Sequence, residues 1–168
     1  MNGAPTRYAL DTSVFTQAAR SYYSFAIAPR FWDALTQHAR TGAVLSIDRV
    51  KGEIDNGKDE LKEWANNHFH YSFETTNDDE VLTAYQRVIR WAMGQSQYTN
   101  SAKAEFARKD NADAWVVAYA IAKGCVVVTQ EQPARDARRK IPLPNVCQAF
   151  CIPFIDTFEM MRKLGIKL

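Results

Sequence analysis

Gly124-Cys125-Val126-Val127-Val128-Thr129-Gln130-Glu131 decides how this chain is read. Before it, Val116, Val117, Ala120 and Ile121 fall on one helical face, and Gly124 is placed to end that helix. After the glycine comes an uninterrupted apolar run, Val126 to Val128. A strand exposed on one face would alternate polar and apolar residues. A continuous run is the mark of a parallel strand covered on both faces. Working outward, Tyr8-Ala9-Leu10 forms a second short strand ending at Asp11, and Ala43-Val44-Leu45-Ser46 a third. Phe69, Tyr71 and Phe73 alternate with His68, His70 and Ser72, the period of a half-buried strand, and Ile152 to Ile155 reads as a last one.

Helices fill the intervals. They are expected from about Thr12 to Ala19, over the face Phe31, Trp32, Leu35 and Ala39, around Val50 and Ile54, and around Leu61, Trp64 and Ala65. Further helices run from Asn77, with Glu80 three residues on, to Gly94, and from Ser101 to Arg108, and another is opened by Asp110 and Asp113. Asp156 with Glu159 is a capping-box pattern for a final helix. Strands alternating with helices argue for one α/β domain over residues 1–168 with a mostly parallel sheet. In such sheets function gathers beyond the carboxyl ends of the strands.

Composition bounds the rest. Hydrophobic residues make up 46% and charged residues 24% of 168, an ordinary globular balance that can bury a core without disulfide or metal. Net charge is only +2, so a nucleic-acid site would have to be a local patch. The three cysteines, Cys125, Cys147 and Cys151, are an odd number, which suits a reduced cytoplasmic protein better than a disulfide framework. No stretch reads as a signal peptide or a membrane span.

The strand ends carry acids. Asp11 follows the first strand, Glu53 lies about two helical turns after the second, Asp113 opens the helix leading into Val126–Val128, and Thr129 and Glu131 follow that run. Each has a plain alternative: Asp11 as a helix N-cap, Glu53 as a solvated helix residue, Asp113 as a helix-start acid capped by Asp110, and Glu131 as a loop acid. Their convergence is the stronger reading. Two carboxylates about 4 Å apart repel by roughly 4 kcal/mol at an effective dielectric near 20, so such a cluster either takes up protons or binds a cation. All-oxygen ligands favour Mg²⁺ or Mn²⁺, and a carboxylate-held Mg²⁺ suits phosphodiester hydrolysis.

Four segments in order resemble the motifs of the PIN-domain family. They are Tyr8-Ala-Leu-Asp-Thr-Ser-Val-Phe15, Ser46-Ile-Asp-Arg-Val-Lys-Gly-Glu53-Ile, Ala112-Asp113-Ala-Trp-Val-Val-Ala-Tyr-Ala120, and Gly124 to Glu131. The Tyr22-Tyr23 loop, Phe31-Trp32-Asp33 and the cysteine-bearing tail resemble, more narrowly, a less characterised prokaryotic PIN subfamily related to VapC-type toxins. The resemblance implies a PIN-like three-layer α/β/α sandwich and a Mg²⁺- or Mn²⁺-dependent endoribonuclease. Asp11, Glu53, Asp113 and Glu131 would be its metal-binding and catalytic acids, with Ser13, Thr129 and Asp110 in support. It further implies in-line attack of water leaving a 5′-phosphate, a toxin role held in check by a cognate antitoxin protein, and pairing as a homodimer. Glu131 departs from the family, which usually has Asp there.

Other features have two readings each. Arg135, Arg138, Arg139 and Lys140 are either an RNA phosphate patch or a solvated loop. Tyr22, Tyr23 and Phe25 either stack on bases or, the favoured reading, pack internally or on a partner. His68 and His70 read as the polar face of a strand rather than metal ligands. Trp64, Trp91 and Trp115 are expected in the core. A catalytically silent PIN module that binds RNA or a protein is the runner-up function. A phosphatase of the haloacid dehalogenase kind would need a second acid where this chain has Ser13, and no strand is followed by a glycine-rich phosphate loop.

Overall fold

The computed structural model describes residues 3–168. Five strands form one sheet, all neighbours parallel, in the order β3-β2-β1-β4-β5. They are β1 (Tyr8–Leu10), β2 (Val44–Ile47), β3 (Phe73–Glu74), β4 (Val126–Val128) and β5 (Phe154–Ile155). Nine α-helices among the described residues flank it: α1 (Thr12–Gln17), α2 (Pro29–Arg40), α3 (Asp48–Asp55), α4 (Glu60–Trp64), α5 (Asp79–Met93), α6 (Asn100–Phe106), α7 (Asp113–Lys123), α8 (Leu143–Ala149) and α9 (Thr157–Leu164). The architecture is α/β and is consistent with a PIN-like three-layer sandwich. Among the described residues, no helix is long and apolar enough to cross a membrane.

The unbroken apolar runs are explained by burial on both faces. Every residue of β1 and β2 is buried, as are Val127 and Val128 of β4. α7 lies against β1, β2 and β4 on one side and α5 and α8 on the other. Consequently Ala114 to Ala120 are buried all round rather than along a stripe. The sequence reading placed Ile121 on the buried face, but it is only partly covered. Gly124 adopts φ +72° and closes α7 with a left-handed turn into β4.

The stretch after Trp64 departs from expectation. Ala65–Phe69 is a π-helical turn and His70–Ser72 a 3-10 turn, so only Phe73–Glu74 joins the sheet. A spacing of four satisfies a helical turn as well as a strand. Phe69 and Phe73 both meet the Phe15 ring, at 5.4 and 6.2 Å, while Tyr71 between them is 94% exposed. His68 and His70 are exposed on these turns and belong to no ligand cluster among the described residues. The sequence also passed over α8. Trp64 and Trp115 are buried as expected, whereas Trp91 is only partly covered, edge-on to Phe150. Tyr23 stacks on Phe31 at 4.8 Å and Phe25 on Trp32 at 4.2 Å, so internal packing accounts for both; Tyr22 stays exposed.

Phe15 sits where α1, the Trp64 turn and β3 meet, fully buried among Trp64, Phe69 and Phe73. Phe15→Ala should lower unfolding free energy by about 3–5 kcal/mol, and Tyr71→Ala by less than about 0.5 kcal/mol, in urea titrations followed by circular dichroism.

Candidate metal centre

Sheet register builds the site. Leu10 pairs with Val128, and the ladder runs one residue further as Asp11 N donates to Val128 O at 2.9 Å. Asp11 and Thr129 therefore leave the sheet side by side at its carboxyl edge. Asp11 is 2% exposed and is held by three donors: Thr12 N at 2.7 Å on Oδ1, and Ser13 Oγ at 2.8 Å and Thr129 Oγ1 at 2.9 Å on Oδ2. Thr129 Oγ1 in turn accepts from Glu131 N, and Ser13 Oγ accepts from Gln130 N, so the turn after β4 folds back over Asp11. The resemblance gave Ser13 and Thr129 the part of orienting water or a ligand; in the structure both hydroxyls donate to Asp11 Oδ2. Asp11 is also positionally the N-cap of α1, so the cap and site readings both apply.

α7 runs back against the strands, which puts its first residue, Asp113, at the same edge. Asp11, Asp113 and Glu131 each offer a carboxylate oxygen, and these oxygens all lie within 4.8 Å of one another. Burial pushes the Asp11 carboxyl up to about 6, against the pull of Ser13 and Thr129 and with a contribution from Glu131. Burial likewise raises Asp113 well above the usual carboxylate range, reinforced by Asp11, Glu131 and Glu53, with Lys140 acting the other way. A partly buried cluster of hard oxygen donors fits Mg²⁺ or Mn²⁺ and offers nothing to a thiophilic metal.

Glu53 stands outside this set. Its Oε1 accepts from Thr12 Oγ1 at 2.5 Å, and it shares with Asp113 a cleft of about 190 Å³, also lined by Glu105, Arg108, Asn111, and Lys140. Asp110 is not part of the site and does not cap α7: it is exposed and paired with Arg108 at 3.0 Å. Asn111 takes the capping role, its Oδ1 accepting from Asp113 N at 3.0 Å. Arg135, Arg138 and Arg139 are exposed and are in no ion pair among the described residues. Lys140 is separated from them, since its ammonium turns back onto Glu131. Thr12, Glu105, Arg108 and Asn111 were missed by sequence reasoning. Only Asn111, two residues before Asp113, carried a signal, an Asx-turn spacing.

A family model described as a domain of unknown function, DUF4411, matches residues 8–168. The chain belongs to the DUF4411 family. The match begins at the first residue of β1 and takes in all five strands and all three clustered carboxylates. No curated protein matches the sequence. The DUF4411 description assigns no activity, so the chemistry has to be argued from the site.

Asp11 and Asp113 hold protons more tightly folded than unfolded. The stability they allow is complete below about pH 4 and is lost as pH rises through about 6 and beyond. In EDTA, Tm should fall between pH 5 and 7.5, Asp113→Asn should flatten that fall, and Mg²⁺ at pH 7.5 should raise the wild-type Tm. Differential scanning fluorimetry reads all three.

Proposed function

We propose that this chain is a PIN-like, divalent-metal-dependent ribonuclease. The observation that carries the reading is the convergence of Asp11, Asp113 and Glu131 within 4.8 Å at the carboxyl edge of a parallel sheet. Asp11 and Asp113 fall on the positions that the PIN resemblance marks as metal-binding, and Glu131 on the position usually held by Asp.

These three residues would hold Mg²⁺ or Mn²⁺, which when bound lowers the pKa of water and neutralises charge on phosphate oxygens. Ser13 and Thr129 fix the Asp11 carboxylate by donating to Oδ2. Glu53 lies on the cleft wall with Oε1 held by Thr12, leaving Oε2 to take a proton from the attacking water. Water adds in line to phosphorus, the P–O3′ bond breaks and the leaving O3′ takes a proton from solvent, so the products carry a 5′-phosphate and a 3′-hydroxyl, and Glu53 then returns its proton to solvent. Arg135, Arg138 and Arg139, exposed outside the cleft, offer cations to the flanking phosphates.

The family resemblance alone extends the proposal to a toxin of a type II pair, with an antitoxin protein as partner. The second reading, a silent RNA-binding module, draws on the Lys140–Glu131 pair, which already neutralises one carboxylate. Labelled single-stranded RNA separates them. Cutting is expected with Mg²⁺ or Mn²⁺, none in EDTA, and at least about a 100-fold loss in Asp11→Asn. Products ending in 2′,3′-cyclic phosphate, or cutting that survives EDTA, would refute the mechanism.

RNA affinity measured in EDTA tests the basic patch apart from chemistry. Arg138→Ala with Arg139→Ala should make the log–log salt slope shallower by about 1.4, from two lost phosphate contacts on a single strand. An unchanged slope would remove the patch from the RNA path.

A further inference from the structure

Each carboxylate oxygen of Glu131 has a protein partner. One oxygen, Oε2, accepts from Leu143 N at 3.1 Å, at the first residue of α8. The other, Oε1, is ion-paired with Lys140 Nζ. The two partners differ in mobility. The amide belongs to a buried leucine at a helix start and cannot leave without moving α8. The ammonium sits on a four-carbon stem whose side chain is 60% exposed, against 19% for Glu131. Lys140 is followed by buried Ile141, so its backbone is anchored while its side chain can turn into the cleft it lines with Glu53 and Asp113.

The charge balance points the same way. Arg108, the other cation on that cleft, is already held by Asp110. One mobile positive charge therefore faces three clustered carboxylates.

We propose that Lys140 is the resident counter-ion of the Asp11–Asp113–Glu131 cluster, and that a divalent cation must displace its ammonium from Glu131 Oε1 in order to bind. This rests on the metal reading above. Ammonium and dication compete for one oxygen, so Lys140 sets the divalent concentration at which the site loads. A lysine suits a displaceable counter-ion because it is a compact point charge that leaves by rotating its stem, where an arginine fork would hold the carboxylate in two places. The contact also gives Glu131 a use for its extra methylene, which lets one carboxylate meet the α8 amide and the Lys140 ammonium while an oxygen stays in the cluster.

The test uses the full chain and two readouts. Isothermal titration with Mn²⁺ reports whether the site takes a dication at all. Acylation of lysines by an amine-directed reagent, quantified by mass spectrometry with and without Mn²⁺, reports the state of Lys140, with exposed Lys58 as internal reference. Mn²⁺ should speed acylation of Lys140 at least about twofold relative to Lys58, and Lys140→Met should bind Mn²⁺ roughly two- to fivefold tighter, the range expected of a half-exposed ion pair. If Mn²⁺ binds the wild type and Lys140 acylation does not change, the counter-ion proposal is overturned and the metal reading stands. Tighter binding by Lys140→Met without that change has the same meaning, because loss of a nearby charge alone would produce it. No Mn²⁺ binding by the wild type overturns both.

Discussion

A buried carboxylate in the seam between β1 and β4 governs this molecule's carboxyl edge. Asp11 is removed from water by the same two-sided burial that makes β1 and β4 continuous apolar strands. Three donors hold it, and still burial wins, lifting its pKa to about 6. The turn after β4 exists in its present shape because Thr129 and Ser13 must each serve Asp11 with one atom and accept a backbone amide with the same atom. That turn delivers Glu131, and α7 delivers Asp113 at its first residue. The α7 dipole favours a negative charge there, which offsets part of the penalty of placing a third carboxylate against two others.

Much of this was legible in the sequence because it follows from period and position. Val126–Val128 without alternation meant a strand covered on both faces, and two-sided cover meant parallel neighbours joined by helices. Parallel strands put every strand-following acid on one edge, so Asp11 and Glu131 could be placed together without knowing any distance. What the sequence could not carry depends on side-chain reach and on non-repeating turns. Phe69 and Phe73 satisfied a strand period and a helical turn equally, and the shape of the Phe15 pocket decided between them. Lys140 read as the end of a basic run, since nothing local indicates that it turns back across the loop to Glu131. Glu53 was placed by its motif in the metal set, yet the Thr12 hydroxyl holds it to the side, on the cleft wall.

The site is stabilised by its surroundings and strained within itself. The aromatic cluster around Phe15, the buried α7 and the β1–β4 ladder are rigid and apolar. Against them sit Asp113, its pKa raised by burial and by the charges of Asp11 and Glu131, and a lysine paired with Glu131. Three acids at this edge suit a dication, and the all-oxygen donor set favours a hard ion.

Asp11, Asp113 and Glu131 are proposed to form one divalent-cation site. Crystals grown at neutral pH and soaked in Mn²⁺, with data collected at the manganese absorption edge, test it directly. The expected result is an anomalous peak within about 2.0–2.2 Å of oxygens from these carboxylates, lost in Asp113→Asn. Saturating Mn²⁺ with no peak among them, or a peak held elsewhere on the chain, would contradict it.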